Sequence, residues 1–151
     1  MKKALLVDVI SSLLILLFAY AALSKLFAYQ NFKGQLYWFP FIRNYRGLIS
    51  WSVPSIELVI VALLIIPKTR YWGLISSAAM MFIFTAFLIL MLNFGGKMLP
   101  CTCGGIISSL HWKGHIVFNL FFLGIAVTGI LLDKRSRNTE NSELHRRYII
   151  A

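Results

Sequence analysis

Four long apolar runs divide the chain, and polar or aromatic segments separate them. The runs cover approximately residues 4–28, 48–66, 72–94 and 115–132. Because about 20 apolar residues in a helix cross the ~30 Å hydrocarbon layer of a bilayer, each run reaches or approaches the length of a membrane span. Only a helix satisfies its own backbone hydrogen bonds in lipid at these lengths. The pattern therefore predicts an all-α fold, an integral membrane four-helix bundle.

Composition agrees with a membrane location and a single domain. Hydrophobic residues make up 59% of the 151 residues, and charged residues only 13%. A soluble domain normally carries more charge and less apolar surface. No clean repeat or linker divides the runs, so residues 1–132 are predicted to form one transmembrane domain. A polar, solvated cytoplasmic tail is predicted to follow over residues 133–151. The first expected partner is the lipid bilayer.

Basic residues predict the orientation of the bundle. Lys68 and Arg70 lie in the short second loop, and Lys134 and Arg135 follow the fourth run. Such residues concentrate near the cytoplasmic ends of membrane spans. We therefore expect both termini in the cytoplasm, a multi-pass location in the bacterial inner membrane, and a third loop that faces the periplasm or exterior. The net charge of +10 then indicates proximity to anionic headgroups and requires no nucleic acid.

A signal peptide is the competing interpretation of the first run. Lys2 and Lys3 precede it, and residues 19–21 (Ala-Tyr-Ala) have the small-x-small pattern of a cleavage site. Asp8 is unusual in a signal core, and the apolar character continues beyond the cleavage pattern. The third loop faces outward under either interpretation.

The third loop contains the only two cysteines of the chain, Cys101 and Cys103, which are its most reactive candidate side chains. A bond between residues so close together would close a very small ring, so it would restrict little of the unfolded chain and would not stabilise the fold. Strained, accessible disulfides are the labile and catalytic ones. Cys101 and Cys103 therefore indicate a redox or metal site and, as a redox pair, are the candidate catalytic residues of a thiol–disulfide oxidoreductase. Gly104 and Gly105 follow them and would permit close backbone approach by a partner.

Glu57 is an acidic residue well inside the second run, where a carboxyl group is costly enough to require a reason. In a functional interpretation it accepts a proton or a hydrogen bond near a quinone or a thiol. In a structural interpretation it is the buried partner of Lys25 or of a hydroxyl group, and fixes how the first two spans meet. The sequence leaves both interpretations open.

Three short segments follow one another along the chain: residues 21–26 (Ala-Ala-Leu-Ser-Lys-Leu), 54–58 (Pro-Ser-Ile-Glu-Leu) and 101–104 (Cys-Thr-Cys-Gly). In order and spacing they resemble the DoxX/MauE family of four-helix membrane proteins, and its MauE branch in particular. The resemblance extends over approximately residues 5–132. It implies a redox role, because the MauE branch is associated with disulfide formation in an exported partner and the DoxX branch with quinone-coupled oxidation.

The resemblance also implies which residues form the site. It matches Cys101 and Cys103 to the thiol pair, and Ser24, Lys25 and Glu57 to family positions. Many relatives look like Cys-x-Cys-Phe-Gly, whereas two glycines follow the cysteines here. This departure affects the expected geometry of the loop.

A single thiol pair cannot pass electrons to a second pair within the same chain. It must exchange with a quinone, with another membrane protein, or with an exported, thioredoxin-like partner. Aromatic residues of spans three and four could line a quinone pocket, although the same composition is ordinary for lipid-facing helices, and we favour the lipid-facing interpretation. These aromatic residues are Phe82, Phe84, Phe87, Phe118 and Phe121.

Two alternatives to redox chemistry remain. His111 and His115 follow the cysteines, and the four side chains together could bind zinc or copper. Their spacing matches no familiar zinc module, so we assign no metal ligands and interpret the histidines as support for the loop or as interface anchors. In the second alternative the protein is a non-enzymatic subunit or assembly factor of a larger envelope complex.

Overall fold

A computed structural model describes residues 2–37, 42–94 and 112–150 of the chain. These residues form five α-helices, α1 (Lys2–Phe27), α2 (Tyr29–Leu36), α3 (Arg46–Ile65), α4 (Arg70–Phe94) and α5 (Trp112–Ile150). A short 3₁₀ helix over Arg43–Tyr45 leads into α3. Four segments are long and apolar enough to cross a membrane, namely Leu5–Phe27, Arg43–Ile65, Arg70–Leu90 and Gly114–Arg135. The prediction of an all-helical four-span membrane protein is confirmed.

The four long helices form a bundle in which α1 and α4 lie diagonally opposite each other. The pairs α1–α3 and α4–α5 pack most extensively, and the pairs α1–α5 and α3–α4 complete the ring. Leu14 and Phe18 of α1, Leu64 of α3 and Leu74 of α4 are almost completely buried between the helices. Large apolar side chains on the outer faces, such as Leu16, Val59 and Val117, are exposed on the bundle and suit contact with lipid tails.

A short link that contains Pro67 joins α3 to α4. Ile66, which precedes Pro67, has extended backbone angles, as expected for a residue before proline. The Thr69 hydroxyl donates to the Leu63 carbonyl at 3.0 Å and satisfies one of the acceptors left at the end of the helix. This end of the bundle also carries an ion pair between Arg70 and Asp8, with Nη1 and Oδ1 2.5 Å apart.

Two glycines allow close helix packing near this end, which we call the closed end and define by Asp8, Arg70, Gly73 and Gly129. A Cβ atom on Gly73 would lie 2.9 Å from the backbone nitrogen of Leu64, and one on Gly129 would lie 3.0 Å from Cγ2 of Ile10. A small side chain at such positions lets neighbouring helices approach closely. The absence of a side chain at Gly73 therefore lets α4 pack closely against α3.

The aromatic segment between the first two spans forms a helix that packs on the bundle. Phe32 and Leu36 of α2 are buried against Ile42, Ile49 and Val53. A hydrophobic pattern over eight residues is too short to predict this contact from the sequence.

At the other end of the chain, α5 continues as one helix to Ile150. The polar residues after 133 are therefore helical, a continuation that their composition did not predict.

Candidate functional site

Part of the predicted site lies outside the described residues. Cys101, Cys103, Gly104, Gly105 and His111 all fall between Phe94, where α4 ends, and Trp112, where α5 begins. The structure therefore describes the remaining predicted site residues, Ser24, Lys25, Glu57 and His115.

Lys25 and Glu57 form an ion pair inside the bundle. Lys25 lies near the end of α1, and its Nζ donates to Glu57 Oε1 of α3 at 2.7 Å. The lysine is 7% exposed and the glutamate 1% exposed. The contact between Lys25 and Glu57, one of the two interpretations open from the sequence, is present. Because an isolated charge is very costly in an apolar interior, each of these groups makes the burial of the other possible.

The ion pair leaves hydrogen-bonding capacity on both partners. Lys25 Nζ also donates to the Ala21 carbonyl at 3.2 Å, so two of its three ammonium protons have acceptors among the described residues. The second carboxylate oxygen of the pair, Glu57 Oε2, is buried and has no hydrogen-bond partner within the described ranges. Since buried polar atoms are normally satisfied, this oxygen indicates a place for a donor.

A cavity of about 300 Å³ lies against the ion pair. Phe18 of α1, Phe32 of α2, Val53 of α3 and Phe84 of α4 contribute to its walls, as does Phe118 of α5. Its surface is mostly apolar and aromatic, and Lys25 and Glu57 supply charge at one side. The Lys25 ammonium lies 5.8 Å from the centroid of the Phe84 ring, a distance at which a cation and an aromatic face attract each other. We call this the charged cavity.

His115 and Asn119 of α5 add further polar groups to the charged cavity. They are four residues apart, so both lie on one face of the helix. His115 was predicted as a loop-support residue, and its side chain is buried. Asn119 was not predicted as a site residue. The sequence feature that could have identified Asn119 is its position, one helical turn after His115 inside an apolar run.

The aromatic residues of spans three and four divide into two groups. Phe84, Phe87 and Phe118 line the charged cavity. Phe82 and Phe121 are each 64% exposed and point away from it. The lipid-facing interpretation was therefore wrong for the first three phenylalanines. Periodicity did not separate the groups because both faces of these helices are apolar.

The charged cavity lies at the end of the bundle opposite the closed end. Lys25 is two residues before the end of α1, and Phe87 and Leu88 are in the last two turns of α4. His115 is three residues after the start of α5. The cysteine segment is the stretch of sequence between Phe94 and Trp112 that contains Cys101 and Cys103. The end of α4 and the start of α5, which flank it in the sequence, therefore belong to the end of the bundle that contains this cavity.

The other predicted site features contribute less. Ser24 is half-buried on α1 and is not among the residues that line the charged cavity. In the part of the chain that the structure describes, no three His, Cys, Asp or Glu side chains come together in a way that could hold a metal ion. Both cysteines and His111 of the metal alternative lie outside that part.

Comparison with protein families agrees with this architecture. The model of the family described as methylamine utilisation protein MauE matches residues 3–132, which include all four spans. No curated protein and no solved structure matches the chain. The match confirms the MauE resemblance and gives no support to the link with DoxX. The chain is a multi-pass membrane protein that belongs to the MauE family.

Proposed function

We propose that this protein is a membrane thiol–disulfide exchange protein, and that Cys101 and Cys103 are its catalytic pair. The observation that carries the proposal is the position of its only two cysteines, which are separated by one residue in the segment between α4 and α5. A pair so placed has little value as a structural crosslink but can open and close without unfolding the bundle.

The exchange is a transfer of two electrons and two protons from a partner dithiol. A partner thiolate attacks one sulfur of the Cys101–Cys103 disulfide, forms a mixed disulfide and releases the other cysteine as a thiolate. The second partner thiolate then attacks the mixed disulfide. The partner leaves with a disulfide, and Cys101 and Cys103 are left as the dithiol. The reverse sequence reduces a partner disulfide.

The partner in this proposal is an exported protein with a thioredoxin-like dithiol, or another membrane protein. Basic residues at the closed end and after span four support cytoplasmic termini in the inner membrane. With that orientation the cysteine segment faces the periplasm or exterior, where dithiols are oxidised and disulfides persist. Membership of the MauE family is consistent with such an accessory redox role.

Thiol labelling of intact cells tests the side of the membrane and the oxidation state together. A membrane-impermeant maleimide should label Cys101 and Cys103 only after treatment with a reductant. A variant with both cysteines changed to serine is the control for labelling of other proteins. Cysteines that react only after the cells are permeabilised, and that do so without reductant, would contradict the proposal.

Single-cysteine variants test the exchange step. Cys101→Ser or Cys103→Ser should accumulate a mixed disulfide through the reverse sequence. The remaining thiolate attacks a partner disulfide, and the second cysteine that would resolve the adduct is absent. The adduct should appear on a non-reducing gel and disappear with reductant. If neither variant forms an adduct, and the double variant leaves the redox state of exported proteins unchanged while a larger complex still assembles, the protein acts as a non-enzymatic subunit.

A further inference from the structure

We propose that the charged cavity binds the ring of a quinone, and that this quinone is the electron acceptor for Cys101 and Cys103. The inference rests on the proposed function, because it names the molecule that would reoxidise the pair. It starts from the geometry of Lys25, Glu57 and the aromatic walls around them.

The size and position of the charged cavity suit the ring of a membrane-soluble molecule. Its volume of about 300 Å³ is at the lower end of the usual range of about 300–1,000 Å³ for small-molecule sites. The charged cavity therefore suits a single ring better than a whole lipid molecule. Phe84, Phe87 and Phe118 belong to segments that cross the membrane, and aromatic side chains pack favourably against a flat ring. An isoprenoid tail would extend from such a ring into the bilayer.

The polar groups of the cavity match both oxidation states of a quinone. A ring carbonyl of the oxidised form accepts a hydrogen bond, and Lys25 has an ammonium proton without an acceptor among the described residues. The same oxygen of the reduced form carries a hydroxyl and donates, and the buried Oε2 of Glu57 needs a donor. A hydrocarbon chain would satisfy neither group. An ionised fatty-acid carboxylate could accept a hydrogen bond from Lys25 but has no proton to donate to Glu57 Oε2.

The overall reaction balances within this arrangement. The S–H bonds of Cys101 and Cys103 break and an S–S bond forms between them, which releases two electrons and two protons. The electron pair reduces the ring, and the two protons end on its two oxygens, so that quinone and dithiol become quinol and disulfide. Lys25 and Glu57, in contact with the ring oxygen, are placed to pass a proton to it.

Binding of decylubiquinone, a quinone with a short tail, tests the site directly. We expect saturable binding to the purified full-length protein in dodecyl maltoside, measured by isothermal titration calorimetry. Phe84→Ala should weaken binding by about tenfold, since it removes an aromatic wall. Phe82→Ala, on the same helix but outside the cavity, should change it by less than about twofold. Phe118→Ala and Phe121→Ala form a second matched pair on α5 with the same expected contrast.

A cavity-filling variant guards against loss of fold. Val53 lines the cavity and is half-buried, so Val53→Phe should occupy the space of the ring while the bundle stays intact by circular dichroism. It should abolish decylubiquinone binding. Glu57→Gln should keep binding of the oxidised quinone but slow its reduction by the cysteines, because an amide does not relay a proton.

The outcomes separate this inference from the proposed function. If Cys101→Ser/Cys103→Ser binds decylubiquinone as the wild type does, and no thiol exchange is found for the wild type, the site stands and the thiol–disulfide function fails. If exchange occurs but binding is absent, or is equal in Phe84→Ala, Phe82→Ala and Val53→Phe, the quinone site is overturned.

Discussion

The two ends of this bundle each hold an ion pair between different helices, but in opposite surroundings. At the closed end Asp8 is 55% exposed and Arg70 23% exposed, and the helices pack closely at Gly73 and Gly129. At the other end Lys25 and Glu57 are buried at 7% and 1% exposure beside a cavity. The comparison shows that close packing and buried charge have been separated along the bundle. A buried ion pair adds little net stability, because the cost of desolvating the two charges offsets their attraction. We therefore connect the pair beside the charged cavity with a ligand.

The sharpest way to break this comparison is to remove one member of the buried pair. Glu57→Leu leaves the Lys25 ammonium buried without its carboxylate, and we expect a loss of about 3–5 kcal/mol in the free energy of unfolding. Reversible unfolding in mixed micelles of dodecyl maltoside and sodium dodecyl sulfate measures the change. Equal effects of Glu57→Leu and Asp8→Leu would contradict the contrast between the two ends.

A double variant shows whether the loss comes from the unpaired charge. Lys25→Met/Glu57→Leu replaces both charges with apolar side chains of comparable size, and it should recover most of the stability that Glu57→Leu loses. A double variant as unstable as the single one would mean that the carboxylate acts through contacts other than Lys25.

The closed end should be most sensitive to added volume instead of altered charge. Gly73→Ala places a Cβ atom 2.9 Å from the backbone nitrogen of Leu64, so α3 and α4 must separate, and we expect a loss of about 1–3 kcal/mol. Gly47→Ala is the matched control, because nothing lies within 4 Å of a Cβ atom there. It should be neutral, or stabilise α3 by up to about 1 kcal/mol through the higher helix propensity of alanine. Losses of similar size in the two variants would show that the packing at Gly73 is not special.

The sequence predicts the spans well and the interior of the bundle poorly. The apolar run at 48–66 corresponds to α3 (Arg46–Ile65), since the thickness of a bilayer fixes how long an apolar helix must be. In a soluble protein the outer face of a helix is polar and the inner face apolar. In a membrane protein both faces are apolar, because the outer face contacts lipid. Phe82 and Phe84 are therefore indistinguishable by hydropathy, although only Phe84 lines the charged cavity. Glu57 was recognisable as unusual from its position alone, but its distance from Lys25 depends on how two helices cross.

The smallest effect is expected at the exposed ion pair of the closed end. Arg70→Gln should lower the free energy of unfolding by about 0–1 kcal/mol, because water solvates both partners and salt screens their attraction. Unfolding at low and high ionic strength measures this directly: the difference between wild type and variant should shrink as salt is added. The same salt series on Glu57→Leu should leave its larger loss almost unchanged, since ions do not reach a pair buried between helices. A salt-sensitive loss at Glu57 would mean that water and ions enter the charged cavity, and the two ends would then differ in packing alone.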